Sequence, residues 1–84
     1  MREVLARGIK RYNRYRAPEA VAKLLTVEGD EFEVEFSGPF RFSCCFYDYI
    51  DDLRYELEDL GVKVEVVSVE ENTRGAVARF RLVK

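Results

Sequence analysis

The order of apolar and polar residues along the chain predicts two amphipathic helices. Leu5, Ile9 and Tyr12 recur at helical spacing, which predicts a first helix over about residues 2–15. A second stripe with the same spacing predicts another helix over about residues 46–60. That stripe consists of Phe46, Ile50, Leu53, Leu57 and Leu60.

A different periodicity, in which apolar and polar residues alternate, predicts the strands. Phe32, Val34 and Phe36 face one way, and the glutamates between them face the other. Gly29-Asp30 suits a tight turn, so this strand forms a hairpin with the one before it. The chain closes with two further strands around a turn at Glu71–Gly75.

The element order α-β-β-α-β-β predicts an α+β fold, a two-layer sandwich with a four-stranded antiparallel sheet and both helices on one face. This is a circularly permuted ferredoxin-like arrangement with strand order 1-2-4-3. Unlike charges then mostly oppose each other on the solvent face of the sheet, each good pair adding about 0.2–1 kcal/mol. The charged residues of that face are Lys23, Glu33, Glu35, Lys63, Glu65, Arg79 and Arg81.

The amino-acid composition limits the class of protein to which this chain can belong. The 84 residues suffice for a single domain, 1–84, and the 48% hydrophobic content supports a folded core. The 36% charged content and the absence of His and Gln favour a thermophilic, archaeal-like origin. Two cysteines are too few for a disulfide scaffold, and there is no apolar run typical of a signal peptide or membrane span, so we expect a cytoplasmic protein that contacts no membrane.

Positive charge is concentrated at the start of the chain, although the net charge is −2. The run RGIKRYNRYR carries Arg7, Lys10, Arg11 and Arg14 with interleaved tyrosines, a pattern that predicts contacts with phosphates and bases of a nucleic acid. A solvated helix face, with Tyr12 in the core and the acidic body as an intramolecular partner, explains the same residues. Docking on an acidic surface of another protein or subunit is a third interpretation.

Two adjacent cysteines, Cys44 and Cys45, follow the predicted hairpin. From about residue 20 to 70, the hairpin VEGDEFEVEFSG, a cysteine-bearing loop, a helix and the strand VKVEVVSV together resemble the C-terminal domain of NifU-type iron–sulfur scaffold proteins. That family binds an iron–sulfur cluster through G-x-C-x-x-C, often between subunits. The resemblance implies an iron–sulfur or metal scaffold that uses Cys44 and Cys45 across a dimer.

The cysteine motif of that family is not intact in this chain. Counted from Gly38, the two motif positions hold Phe40 and Ser43, and the thiols come later. Adjacent side chains point to opposite sides of a strand, or about 100° apart in a helix, so a metal site needs thiols from two subunits. Two other interpretations stay open: buried thiols that pack as small apolar groups, and a reactive thiol near a helix N-terminus.

Catalytic residues are not evident, and we expect no enzyme activity. Without histidine there is no nucleophile–His–acid set, and the glycines are isolated turn residues. The carboxylates of the second helix fall mostly opposite its apolar stripe, as an exposed acidic face. Arg54 and Glu58 on that helix form a predicted i,i+4 ion pair.

These observations predict a small non-enzymatic binding or assembly module without a cofactor, and a homodimer. The dimer prediction rests on the small core and on a crowd of aromatic residues that suits an exposed apolar patch. The aromatic residues are Phe40, Phe42, Tyr47 and Tyr49. Phe40, Phe42 and Tyr47 are therefore predicted partner-binding residues, together with the basic residues of the first helix.

Overall fold

The computed structural model describes residues 2–17, 19–39 and 46–83, and it contains the predicted two helices and four strands. In chain order the elements are α1 (Arg2–Arg16), β1 (Val21–Glu28), β2 (Glu31–Ser37), α2 (Phe46–Asp59), β3 (Val64–Glu71) and β4 (Gly75–Leu82). The α+β class is thereby confirmed. Neither helix is long and apolar enough to span a membrane in this part of the chain.

All strand pairings are antiparallel, and the sheet has the predicted order β1-β2-β4-β3. The central pair, β2 and β4, is in continuous register from Glu31 opposite Arg81 to Ser37 opposite Gly75. Both edge strands contain an irregularity, at Leu25 in β1 and at Val67 in β3. Alternation in the sequence predicts the regular central pair but not these extra residues at the edges.

The core is one cluster formed by the apolar stripes of both helices and one face of the sheet. Its fully buried large side chains are Tyr12, Phe32, Phe36, Phe80, Leu5, Ile50, Leu53, Leu57 and Val34. Phe32 and Phe80, on neighbouring strands, stack with ring centroids 5.2 Å apart. The alternation in β2 therefore predicts correctly which face of that strand is buried.

The two helices pack against each other through a close contact at Gly8. A Cβ atom at this position would lie 2.4 Å from Cδ2 of Leu57, which is fully buried. Glycine therefore lets the backbone of α1 approach α2 more closely than a side chain allows. Gly8 lies beside Leu57 while Arg16 contacts Asp52, so the helices run antiparallel.

Gly61 ends α2 in a left-handed backbone conformation. Gly61 has φ +89°, its N–H donates to the carbonyl of Glu58, and the N–H of Val62 donates to that of Leu57. This is the pattern of a Schellman motif, which satisfies the last carbonyls of the helix. The motif fixes where the chain leaves α2 and turns toward β3.

Polar contacts tie α1 to its neighbours on both sides. The amide of Asn13 donates to the carbonyl of Ala22 (3.1 Å) and accepts from the Ala22 N–H (2.7 Å), at the edge of the sheet. The Tyr12 hydroxyl donates to the Tyr49 carbonyl in α2, at 2.7 Å. Burial raises the pKa of Tyr12 well above its ordinary value. The inner side of α1 is thus fixed by packing and hydrogen bonds.

The outer face of the sheet pairs unlike charges, as its sequence predicts. Arg79 donates to Glu31 (2.8 Å) and to Glu33 (2.9 Å), and Arg81 donates to Glu65. The hydrogen bond to Glu31, followed by the charge of Glu33, raises the pKa of Arg79. These cross-strand contacts join β4 to both of its neighbours.

Candidate binding surface on the helices

Three basic side chains form an exposed row along the outer face of α1. Arg7, Lys10 and Arg14 are spaced three and four residues apart, so they lie on one side of the helix. In residues 2–17, 19–39 and 46–83, none of the three has a carboxylate oxygen within 4.0 Å. We refer to these three residues as the cation stripe.

Arg11 and Arg16, on the side of α1 that faces α2, have different surroundings. Nε of Arg11 lies 3.1 Å from Oε1 of Glu56, and its Nη2 lies 3.6 Å from Asp59. Arg16 pairs with Asp52 and also lies over the ring of Tyr49, 5.3 Å from the centroid. The predicted intramolecular compensation is therefore present for these two arginines, because the antiparallel packing brings α2 carboxylates beside them.

A groove of about 470 Å³ separates the exposed sides of the two helices. Its lining residues are Arg11, Tyr12, Tyr15, Arg16, Asp52, Tyr55, Glu56 and Asp59. Two of them are large exposed aromatic residues, Tyr15 of α1 (68% exposed) and Tyr55 of α2 (54% exposed). Arg11 also lines a smaller hollow beside the cation stripe, so stripe and interhelical groove are adjacent.

Tyr55 is held by its neighbour in sequence. The Arg54 guanidinium lies 4.5 Å from the Tyr55 ring centroid, and it donates to both carboxylate oxygens of Asp51, at 3.0 and 3.3 Å. The hydrogen bond to Asp51 raises the pKa of Arg54. The predicted Arg54–Glu58 pair is therefore wrong. An acid N-terminal to its base is the better orientation on a helix, which favours Asp51.

The carboxylates of α2 form the predicted acidic face. Asp48, Glu58 and Asp59 are exposed, while Asp52 and Glu56 are half-buried beside the arginines of α1. The described residues contain no group of three or more acidic or cysteine side chains arranged to hold a metal ion. Helix packing and solvation account for these carboxylates.

Four predicted site residues, Phe40, Phe42, Cys44 and Cys45, lie outside the described residues. The thiol, cluster and aromatic-patch interpretations of that segment therefore stay predictions. Tyr47, in the first turn of α2, is 61% exposed and does not line the groove.

Tyr49 was predicted to belong to the same aromatic patch, but it is half-buried against the core. Its hydroxyl donates to Glu19 at 2.5 Å. The ring also packs beneath the Arg16 guanidinium. These contacts give Tyr49 a role in packing α2 against the segment that follows α1.

The sequence predicts Arg7, Lys10, Arg11 and Arg14 as a group, and the structure divides them into the cation stripe and the paired Arg11. Tyr15 and Tyr55 were not predicted as site residues. Tyr15 lies at the border of the apolar stripe of α1, whereas Tyr55 lies among the carboxylates opposite the apolar stripe of α2. Only the antiparallel packing of the helices brings the two rings to one groove. No protein-family model matches the chain, and searches of curated proteins and of solved structures find no significant match.

Proposed function

We propose that this chain is a small non-enzymatic binding module that binds an anionic macromolecule through the cation stripe. The observation that carries the proposal is the contrast within α1. Arg11 and Arg16 are neutralised by carboxylates of α2, whereas the stripe residues have no carboxylate oxygen within 4.0 Å in the described part of the chain. A negatively charged partner supplies the missing counter-charge.

The stripe is unfavourable for the helix on its own. Lys10 and Arg14 are four residues apart, and like charges at this spacing destabilise a helix by about 0.2–0.5 kcal/mol per pair. The burial of α1 does not require these side chains, since all three stripe residues are exposed. Binding an anion relieves this repulsion. Binding therefore explains the presence of the stripe, whereas the stability of the fold does not.

The acidic remainder of the molecule limits where an anionic partner binds. The exposed carboxylates of α2 repel such a partner. The proposed contact is therefore confined to a surface about one helix wide. Association through so few charges is fast and strongly dependent on salt.

The finer features of the fold belong to the same proposal. A two-layer, circularly permuted ferredoxin-like sandwich holds α1 and α2 on a rigid sheet and leaves their outer sides free for a partner. A cytoplasmic homodimer of thermophilic origin stays a prediction from composition and from the aromatic residues near the second helix. Light scattering at micromolar concentration tests the dimer, and a strictly monomeric mass contradicts it.

The test of the proposed function removes the three charges of the stripe. We expect the Arg7→Gln, Lys10→Gln, Arg14→Gln variant to bind a fluorescein-labelled polyanion about a hundredfold more weakly at about 50 mM salt, as measured by fluorescence anisotropy. Suitable probes without bases are poly-L-glutamate and a DNA strand made entirely of abasic nucleotides.

A control variant removes the same number of charges elsewhere. Lys23, Lys63 and Arg74 are exposed and lie outside α1, and their replacement by Gln changes the net charge equally. We expect this control to bind within about threefold of the wild-type protein, because long-range repulsion is screened. Equal losses in both variants, or no binding of any polyanion by the wild-type protein, contradicts the proposed function.

The iron–sulfur or metal scaffold stays an alternative prediction that rests on the family resemblance. Iron and zinc analysis of anaerobically purified protein tests it. The alternative predicts bound metal that is lost in the Cys44→Ser, Cys45→Ser variant. Metal-free, colourless protein contradicts it.

A further inference from the structure

We propose that the anionic partner is single-stranded nucleic acid, whose phosphates lie along the cation stripe while its bases stack on Tyr15 and Tyr55 in the interhelical groove. This inference rests on the proposed function and names its ligand. It depends on a second observation, the exposed aromatic rings beside the stripe.

A nucleic acid strand has charged phosphates along one side and uncharged bases along the other. The stripe and the groove differ in the same way, since the stripe is positively charged and the arginines of the groove are paired. The stripe residues have no carboxylate within 4.0 Å among the described residues, which suits phosphate. In the groove, Arg11 and Arg16 are already paired with Glu56, Asp59 and Asp52. The groove therefore attracts phosphate weakly, but its rings and polar atoms suit an uncharged base.

The two tyrosines are placed to act as stacking surfaces. Tyr15 extends from the last turn of α1 and Tyr55 from the middle of α2, and both rings are more than half exposed at one groove. Arg54, itself hydrogen-bonded to Asp51, restrains the Tyr55 ring. A ring that is fixed before binding loses less conformational entropy when a base stacks on it.

The surroundings disfavour duplex nucleic acid. A duplex hides the faces of its bases, so the tyrosines gain no stacking partner. Its second strand would also approach the acidic face of α2 outside the groove, where Asp48 and Glu58 are exposed. A single strand places its one backbone on the stripe and keeps clear of these carboxylates.

An acidic protein partner fits the same surface less well. The buried centre of a protein interface is depleted of charged residues, whereas this surface places three cations beside the groove. Protein surfaces that bind nucleic acid are more polar and more positively charged than protein–protein interfaces, and this surface has the same character. An acidic polypeptide is therefore the competing ligand in the test.

The experiment compares four fluorescein-labelled ligands by anisotropy: a mixed-sequence DNA strand of about 12 nucleotides, its duplex, an abasic strand of equal length, and poly-L-glutamate. We expect the single strand to bind most tightly. The Tyr15→Ala, Tyr55→Ala variant is expected to bind the single strand at least about tenfold more weakly, while its affinity for the abasic strand stays unchanged.

Three controls separate stacking from other effects. Tyr15→Phe, Tyr55→Phe keeps both rings and is expected to bind like the wild-type protein. Tyr47→Ala removes an exposed tyrosine outside the groove and is expected to leave binding unchanged. Neutralising the stripe is expected to flatten the slope of log affinity against log salt by about 2, since each phosphate contact adds about 0.7.

The outcomes distinguish the inference from the proposed function. If the abasic strand and poly-L-glutamate bind through the stripe but the alanine variant binds the single strand normally, the proposed function stands and the inference is wrong. Equal affinity for the duplex and the single strand likewise overturns the inference. If no polyanion binds, both are wrong.

Discussion

Arg79 in the sheet and Arg7 on α1 are the same residue type on two outer surfaces, and their surroundings differ. Arg79 contacts Glu31 and Glu33, whereas Arg7 has no carboxylate within 4.0 Å in the described part of the chain. The whole chain has 16 acidic and 14 basic side chains, so carboxylates are not in short supply. The difference lies in where the carboxylates are placed. Their placement separates basic side chains that stabilise the fold from basic side chains that remain available to a partner.

The two surfaces also differ in what their charges determine. On the sheet, the arginines of β4 lie between the glutamates of β2 and of β3, and this complementarity favours the observed strand order. On α1, the inner residues determine the packing and the outer cations take no part in it. Substitutions on the two surfaces should therefore have opposite effects: loss of stability on one, and loss of binding on the other.

The largest expected effect on stability comes from the inner side of α1. Gly8→Val introduces atoms where even a Cβ lies 2.4 Å from Leu57, and we expect the free energy of unfolding to fall by about 1–3 kcal/mol. Ala6→Val is the matched control, since Ala6 is exposed on the same helix and valine there meets no packed side chain. Chemical denaturation measures both. Equal effects would contradict the conclusion that α1 is fixed by close contact with α2.

A smaller effect is expected at the buried hydroxyl of Tyr12. Tyr12→Phe removes the 2.7 Å hydrogen bond to the Tyr49 carbonyl, and we expect it to lower the free energy of unfolding by about 1 kcal/mol near neutral pH. Burial raises the Tyr12 pKa above its ordinary value of 10.0, so the folded protein keeps the proton that the unfolded chain releases. The contribution of the Tyr12 proton to the free energy of unfolding is thus fully present below about pH 10 and is lost as the pH rises further.

The dependence of stability on pH gives a second test of the buried Tyr12 hydroxyl. Above about pH 10, the wild-type protein should lose stability faster than Tyr12→Phe, and the difference between them should narrow. Denaturation curves collected from pH 7 to pH 11 test this, and parallel wild-type and Tyr12→Phe curves would contradict it.

Much of the fold can be predicted because its signals are local or repeated. The periodic stripes predict both helices, and the alternation of Phe32, Val34 and Phe36 predicts the buried face of β2. The element order predicts the strand order, and the charges of the outer face agree with it. The irregularities at Leu25 and Val67 could not be predicted, because an extra residue at an edge strand is accommodated by solvent and leaves no required residue type.

The candidate site is predicted less completely, because it depends on the packing of two helices. Helical spacing identifies Arg7, Lys10 and Arg14 as neighbours, but it does not separate them from Arg11. That separation requires the position of Glu56 on another helix. The pairing of Tyr15 with Tyr55 depends in the same way on the close approach that glycine permits between α1 and α2.

The most direct test of the contrast between the two surfaces neutralises one arginine on each. Arg79→Gln removes the hydrogen bonds to Glu31 and Glu33 and leaves these two like charges side by side on one face of β2. We expect its unfolding midpoint to fall, by less than that of Tyr12→Phe, and its binding of single-stranded DNA to stay unchanged. Arg7→Gln is the matched change on α1. It relieves the repulsion with Lys10, so we expect the midpoint to stay or rise slightly while binding weakens.

These two single variants carry the same change in net charge, so opposite outcomes in stability and binding cannot come from charge alone. Thermal unfolding followed by circular dichroism, together with anisotropy titrations at two salt concentrations, measures both effects. If Arg7→Gln lowers the midpoint as much as Arg79→Gln does, the stripe stabilises the fold after all. A structural role would then explain the basic residues of α1 without a ligand.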